Sequence, residues 1–154
     1  MPCSRPIGRN DLKLRIPPSP FSRSNERGAA ITNSEHASIE QYVDMPDLLA
    51  RVDNDSELLT ELLALFQEDF PRLRDALHNA VHAGDPLPVE KAAHALKGML
   101  ANLSIKHGAV LAAHVEAAAR AGDKREIQQA MAAFEGEETG LLAAVDRFMA
   151  GGKP

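Results

Sequence analysis

A histidine, a lysine and a glycine lie close together at positions 94, 97 and 98. If residues 89–103 form a helix, each residue turns the chain by about 100°. The side opposite His94 then carries an apolar stripe of Val89, Ala92, Leu96, Met99, Leu100 and Leu103. The side of His94 carries Glu90, Lys97, Gly98 and Ala101. The pattern predicts a helix that buries one side and exposes His94 beside a cation and two small residues.

An exposed imidazole with a neighbouring ammonium suits phosphoryl transfer. Histidine titrates close to neutral pH, so a large share of an ordinary imidazole is a neutral nucleophile near pH 7. Lys97 can offset the negative charge of an added phosphoryl group. A glycine inside a helix costs about 1 kcal/mol relative to alanine, so Gly98 indicates that a partner must approach there. The alternative is an incidental surface histidine with no special role.

The sequence AHALKG at positions 93–98, followed by Asn102 and Leu103, resembles the signature of histidine phosphotransfer (HPt) domains. The resemblance covers roughly residues 45–150. It implies a phosphorelay carrier that shuttles phosphoryl groups between aspartates of response-regulator receiver domains. His94 would be the phosphoacceptor, Lys97 would assist electrostatically, and Gly98 would give the receiver clearance. Glu90 and Ala101 flank His94 and are expected, with Gly98, to contact that partner.

Two residues depart from the family pattern. Met99 stands where many members have a small residue, and its phase predicts a core-facing side chain that alters packing only. Ser104 stands where glycine is common, just beyond the helix. The dimerisation domain of a sensor kinase also carries a phosphohistidine, but it typically has an acid directly after the histidine, where this chain has Ala95.

No Gly-rich nucleotide-binding signature is present, so the phosphoryl group must come from a partner. We therefore expect a carrier rather than an enzyme, with no cofactor of its own. The magnesium ion needed for transfer is expected in the receiver. A free-standing carrier and a fragment of a hybrid histidine kinase both fit the sequence. A helical interaction module that binds receivers or kinases without carrying phosphate is the alternative function.

The rest of the chain predicts an all-α fold. Leu and Ala dominate, and aromatic residues make up 4% of the sequence. A short helix is predicted at residues 45–51. Four longer helices should follow: one from the cap Asn54 to Ala83, kinked at Pro71; the His94 helix to near Ser104; one over residues 106–121; and one from the cap Asp123 to Phe148. Short loops favour an antiparallel, up-down-up-down four-helix bundle.

Residues 85–88 are expected to form a rigid connector into the His94 helix. The spacing of apolar residues predicts the buried stripe of each helix. The stripe of the first long helix consists of Leu58, Leu62, Leu65, Phe66, Leu73, Leu77 and Val81. The stripe of the third consists of Leu111, Val115 and Ala118. Gly84, Gly122 and the pair at 151–152 are expected to end helices. Gly136 and Gly140 fall inside the last one.

Residues 1–38 are predicted to be a disordered leader or linker, and residues 39–154 the bundle. The leader has six Lys/Arg and three Asp/Glu; the remainder has eleven and nineteen. An acidic bundle argues against nucleic acid as a ligand. No apolar run is long enough to span a membrane. The lone Cys3 suits a reducing cytoplasm. We expect a cytoplasmic monomer.

A metal site is a weaker alternative. Asp75, His78 and His82 share one predicted helix face, but no fourth ligand is visible, and a solvated face is the ordinary interpretation. His107 and His114 lie two helical turns apart, too far for one ion. No metal ligand is therefore assigned.

Overall fold

The computed structural model describes residues 38–151, and within them it contains helices and no strand. A short 3-10 helix spans Ile39–Gln41 and is followed by α1 (Met45–Arg51), α2 (Ser56–Ala83), α3 (Pro86–Asn102), α4 (Lys106–Ala121) and α5 (Lys124–Met149). The predicted all-α fold class is confirmed. Three predictions lie outside this range: the leader at 1–38 (except Ser38), the location of Cys3, and the helix end at Gly152.

The four long helices form a closed ring of neighbours. Helix α3 packs against α2 and α4, and α5 packs against α4 and α2. The 3-10 helix lies on α5, and α1 lies on α2. The core holds Phe66, Phe70, Leu63, Leu77, Leu96, Leu100, Val115, Phe134, Leu141 and Val145, among others. In the described part of the chain, no helix is both long and apolar enough to cross a bilayer.

Aspartate side chains cap three of the four long helices, whereas α4 begins after Ile105 without a side-chain cap. Asp55 accepts hydrogen bonds from the amides of Glu57 (2.9 Å) and Leu58 (3.1 Å). The predicted cap Asn54 is therefore wrong by one residue. Its φ of 59° places it in a left-handed turn, whereas a capping residue needs an extended backbone. Asp123 caps α5 as predicted, through the amides of Arg125 and Glu126.

The predicted connector at 85–88 is also wrong, because α3 already begins at Pro86. Asp85 caps it by accepting from the amide of Leu87 at 3.2 Å. Proline is tolerated in a first helical turn, where the backbone N–H has no partner within the helix. Helix α3 ends at Asn102, two residues before the predicted Ser104. Gly84 and Gly122 end α2 and α4 with φ near +70°, as predicted.

The predicted apolar stripe of α2 is wrong at two positions of its first half. Leu58 and Leu65 are exposed, at 41% and 54% of their surfaces. Phe66 is buried as predicted and Leu62 is partly buried, but Leu59, Leu63 and Phe70 are buried without having been predicted. Leucines fill two adjacent faces here, so spacing alone does not choose between them. Aromatic contacts determine which face is buried. The ring centroids of Phe66 and Phe70 are 4.8 Å apart, and those of Phe70 and Phe134 are 6.4 Å apart.

The turn between α3 and α4 is fastened to α1. Ser104 is buried and has a φ of 56°, a backbone conformation that favours glycine. Its hydroxyl donates to Asp47 at 2.6 Å, and its carbonyl accepts from the amide of Asp44 at 3.0 Å. Lys106 pairs with Asp44 at 2.5 Å. These bonds hold the turn in this conformation with serine at position 104.

Candidate functional site

His94 lies in the middle of α3, opposite the helix's buried face. Its side chain is 68% exposed. The buried residues are Val89, Ala93, Leu96 and Leu100. The predicted exposure of His94 agrees with the structure, but the buried stripe is rotated towards α4. Ala93 replaces Ala92 within it, and Met99 is only half-buried.

Glu116 of α4 is the side chain that orients the histidine. It is buried, with 6% of its side chain exposed. Its Oε1 lies 2.9 Å from Nδ1 of His94, and its Oε2 accepts from Nζ of Lys97 at 2.5 Å. The hydrogen bond from Lys97, followed by that from His94, lowers the pKa of Glu116 to about 2. A fixed negative charge therefore lies against Nδ1 and leaves Nε2 for a partner.

Arg120 completes the charged cluster around Glu116. One helical turn along α4, its Nη2 donates to Oε1 of Glu116 at 3.0 Å. Its Nε donates to Oε1 of Glu90 at 3.0 Å, which raises the pKa of Arg120. Glu90, predicted to contact a partner, is thus already engaged within the chain. The cluster contains two carboxylates and two permanent cations beside the imidazole.

Gly98 and Ala101 lie on the exposed side of α3 with His94. A Cβ built on Gly98 would meet nothing within 4 Å. No contact inside the described chain therefore requires glycine at this position. The space beside it is open, and the predicted contact of Gly98 with a partner stays a prediction.

A shallow apolar groove lies between α2 and α3. It has a volume of about 230 Å³ and is lined by Leu62, Leu65, Phe66, Asp69, Met99, Asn102 and Leu103. Met99 packs against the core as predicted, but it is only half-buried and its side chain also lines this groove. The rotation of α3 towards α4 leaves Met99 at the edge facing α2.

Of the cluster, the sequence pointed to His94, Lys97 and Glu90. It did not point to Glu116 or Arg120. One signal was available. Glu116 is the single acidic residue between 106 and 121, and it falls on the same helical face as Gly108, Ala112 and Ala119. These small residues are buried along with it. A lone carboxylate on a face of small residues indicates a buried charge with partners on another helix.

The other predicted candidates lie apart from this cluster. Asp75 pairs with Arg74 at 3.0 Å, and His78 faces Glu135 at 3.5 Å. His82 and His114 are exposed, and His107 lies 3.9 Å from Glu137. Among residues 38–151 no group of three or more His, Cys, Asp or Glu side chains is arranged to hold a metal ion.

One comparison with known proteins gives a match. A family model described as Hpt domain matches residues 61–150, more than half of the chain. The match spans most of α2 and all of α3 and α4, so it includes His94, Lys97 and Glu116. Comparison with curated proteins and with solved structures gives no significant match.

Proposed function

The chain belongs to the Hpt domain family, and on that basis we propose that His94 is the phosphoacceptor of a phosphorelay carrier. Hpt domains are phosphocarriers of two-component signalling. The observation that carries the assignment is the contact between Glu116 and Nδ1 of His94, together with the 68% exposure of the His94 side chain. One ring nitrogen is held, and the other is accessible.

The transfer step follows from this arrangement. With its proton on Nδ1, the ring has a lone pair on Nε2 that attacks the phosphorus of a receiver's aspartyl phosphate. The N–P bond forms as the P–O bond breaks, and the aspartate leaves as a carboxylate on the receiver. The ring becomes a cationic phosphoimidazolium. Glu116 stabilises that positive charge from the Nδ1 side, and the reverse reaction returns the phosphoryl group to a second receiver.

Lys97 supports the same step from the next turn of α3. Its ammonium is held by Glu116 at 2.5 Å, and its side chain is 35% exposed. It can therefore offset the negative charge of a phosphoryl group on Nε2. Arg120 neutralises Glu90, which would otherwise repel the incoming group. Both cations are positioned before the partner arrives.

The partner that we propose is a receiver domain, docked over Gly98, Ala101 and the groove between α2 and α3. Leu65 and Met99 provide apolar surface beside the open side of α3. Small residues near His94 allow close approach, and the apolar groove supplies contact area. We propose that the carrier acts as a cytoplasmic monomer. Size-exclusion chromatography and cell fractionation test that part.

The proposal includes the up-down-up-down topology of the bundle. Between α3 and α4, Glu90 pairs with Arg120 and Lys97 pairs with Glu116. Between α2 and α5, Gln67 donates to Asp146 and His78 faces Glu135. In both pairs of helices the residue number rises on one helix as it falls on the other. These contacts support antiparallel neighbours.

The test is incubation with phosphorylated receivers, followed by measurement of the label on this chain. Wild type should acquire an acid-labile, alkali-stable label, and His94→Ala should acquire none. His114→Ala is the matched control, since His114 is an exposed histidine on α4 outside the cluster. Label that persists in His94→Ala would overturn the assignment. An interaction module without phosphate would bind receivers equally well as wild type and as His94→Gln, and neither would carry label.

A further inference from the structure

Arg120 joins two carboxylates that belong to different helices. Its Nε donates to Glu90 of α3 at 3.0 Å, and its Nη2 donates to Glu116 of α4, also at 3.0 Å. Glu90 lies one helical turn before His94 on α3. Glu116 lies one helical turn before Arg120 on α4. Because Glu116 also contacts His94, a chain of hydrogen bonds leaves α3 at Glu90, passes through α4, and returns to α3 at the histidine.

One oxygen of Glu116 is shared by the imidazole and the guanidinium. Its Oε1 lies 2.9 Å from Nδ1 of His94 and 3.0 Å from Nη2 of Arg120. Lys97 holds the other oxygen, Oε2. The position of Oε1 therefore depends on the guanidinium as well as on the ring. A displacement of Arg120 would change the hydrogen bond that orients His94.

Packing does not hold the guanidinium in place, because the side chain of Arg120 is 64% exposed. Hydrogen bonds at Nε and Nη2 determine its position instead. A guanidinium is planar and rigid, so anchoring Nε to Glu90 fixes the direction in which Nη2 points. Glu90 is suited to be the anchor, since only 29% of its side chain is exposed.

We propose that Glu90 is a positioning residue for the phosphoacceptor. By anchoring Arg120 it fixes Oε1 of Glu116, and that oxygen orients the ring of His94. This role rests on the proposed function of His94. It differs from the contact with a partner that the sequence predicts for Glu90. A positioning residue affects labelling by every phosphodonor, whereas a residue that contacts a receiver matters only when a receiver is the donor.

The experiment compares two phosphodonors on the full chain: phosphoramidate, which is too small to need a docking surface, and a phosphorylated receiver domain. Glu90→Ala should slow labelling of His94 about threefold with both donors, an effect within the range of an exposed ion pair. Glu90→Gln keeps an acceptor for Nε of Arg120 and should restore most of the wild-type rate. Glu126→Ala removes an exposed glutamate near the start of α5 and should be labelled at the wild-type rate.

The two donors separate positioning from a direct contact. Slower transfer from the receiver with normal labelling by phosphoramidate would overturn the inference and return Glu90 to the partner interface. Labelling of Glu90→Ala by phosphoramidate at or above the wild-type rate would also overturn it. A wild-type chain that takes no label on His94 would instead contradict the proposed function.

A double-mutant cycle tests whether Glu90 acts through Arg120. Arg120→Ala should slow labelling by itself, and adding Glu90→Ala should then cause no further loss. If the two substitutions reduce the rate independently, so that their fold-changes multiply, Glu90 does not act through the guanidinium and the inference is wrong.

The orientation of the ring can be measured without any phosphodonor. In wild type, ¹⁵N NMR of the neutral His94 ring should show the proton on Nδ1, directed at Glu116. Glu90→Ala and Arg120→Ala should both increase the share of the tautomer protonated on Nε2. Glu126→Ala should not. An unchanged tautomer ratio in Glu90→Ala would overturn the positioning role, whether or not His94 carries a phosphoryl group.

Discussion

Glu116 joins groups that lie far apart in the chain. His94 and Lys97 come from α3, whereas Glu116 and Arg120 come from α4. The sequence predicts His94, Lys97 and Gly98 because they occupy neighbouring turns of one helix, where phase is calculable. To predict partners 19 and 22 positions away, one must know how the two helices are rotated relative to each other. Side-chain packing between the helices determines that rotation. Periodicity can therefore mark Glu116 as a buried charge, but it cannot name His94 and Lys97 as its partners.

Replacing Glu116 should slow phosphorylation of His94. In Glu116→Ala, Nδ1 loses its acceptor and the phosphoimidazolium loses its counter-charge. A hydrogen bond to a charged group contributes about 1.5 kcal/mol, so we expect a rate roughly tenfold lower. Glu116→Gln keeps an acceptor without the charge and should fall between Ala and wild type. The measurement is the rate of His94 labelling by phosphoramidate.

Two controls show whether Glu116→Ala acts by releasing the His94 ring or by disturbing the fold. Glu61→Ala removes an exposed carboxylate on α2 and should leave the rate unchanged. Circular dichroism should report the same helix content for every variant. An unchanged labelling rate in Glu116→Ala would show that the carboxylate does not orient the ring.

Gly98 is predicted to matter to the partner and not to the fold. Gly98→Leu should stabilise α3 by roughly 0.5–1 kcal/mol, because leucine has the higher helix propensity and nothing lies within 4 Å of the added Cβ. Transfer from a receiver should nevertheless fall more than about tenfold, since the side chain obstructs close approach.

Gly136 provides the matched control for Gly98. It also lies inside a helix, and its added Cβ also meets nothing within 4 Å. Gly136→Leu should give a similar gain in unfolding free energy and normal transfer. If Gly98→Leu transfers as fast as Gly136→Leu, then the receiver does not approach α3 at this position.

At the scale of the helices, the sequence predicts which helices form and where they end better than it predicts how each helix is rotated about its axis. The ends of α2, α4 and α5 follow from Gly84, Gly122 and Asp123, whose roles are local. The rotation of α2 depends on Phe70 contacting Phe134, a residue 64 positions later. Because leucines fill two adjacent faces of α2, the contact between Phe70 and Phe134 determines which face is buried.

Gly140 leaves room for the side chain of Tyr42 between α5 and the segment after the 3-10 helix. A Cβ at this position of α5 would collide with the hydroxyl of Tyr42, which follows the 3-10 helix. Gly140→Ala should therefore destabilise the fold by about 1–3 kcal/mol, whereas Gly136→Ala should stabilise it by about 1 kcal/mol. The measurement is the free energy of unfolding by urea.

A double-mutant cycle with Tyr42→Ala tests whether the collision with Tyr42 causes this loss of stability. With the ring removed, Gly140→Ala should no longer destabilise the protein, because the obstructing atoms are gone. A loss of stability that is the same in the Tyr42→Ala background would place the cause within α5 itself.

At the scale of the whole molecule, the bundle holds the charged cluster on one side and leaves an apolar groove on another. Short connections and four amphipathic helices predict the ring of neighbours. The fastening of α1 to the α3–α4 turn through Ser104 and Asp47 could not be predicted, because it joins residues 57 positions apart. Nor could the groove, since it depends on the rotations of both α2 and α3.

The groove gives the last prediction. Leu65 is 54% exposed and lines the groove with Met99, so truncating Leu65 should disturb the fold little, whereas Met99 also packs against the core and its truncation should cost some stability. If a receiver docks there, Leu65→Ala and Met99→Ala should each weaken its binding roughly tenfold, the effect of losing about 1.4 kcal/mol at an apolar contact. The measurement is the receiver's Kd by calorimetry.

Val110 supplies the control for the docking face. It is 50% exposed on α4 and lies outside the groove, so Val110→Ala removes comparable apolar surface elsewhere. Its Kd for the receiver should stay within about twofold of wild type, within the scatter of surface substitutions. Labelling by phosphoramidate should be normal in all three variants, because a small donor needs no docking surface. Normal receiver binding by Leu65→Ala and Met99→Ala would move the interface off the groove while leaving His94 as the phosphoacceptor.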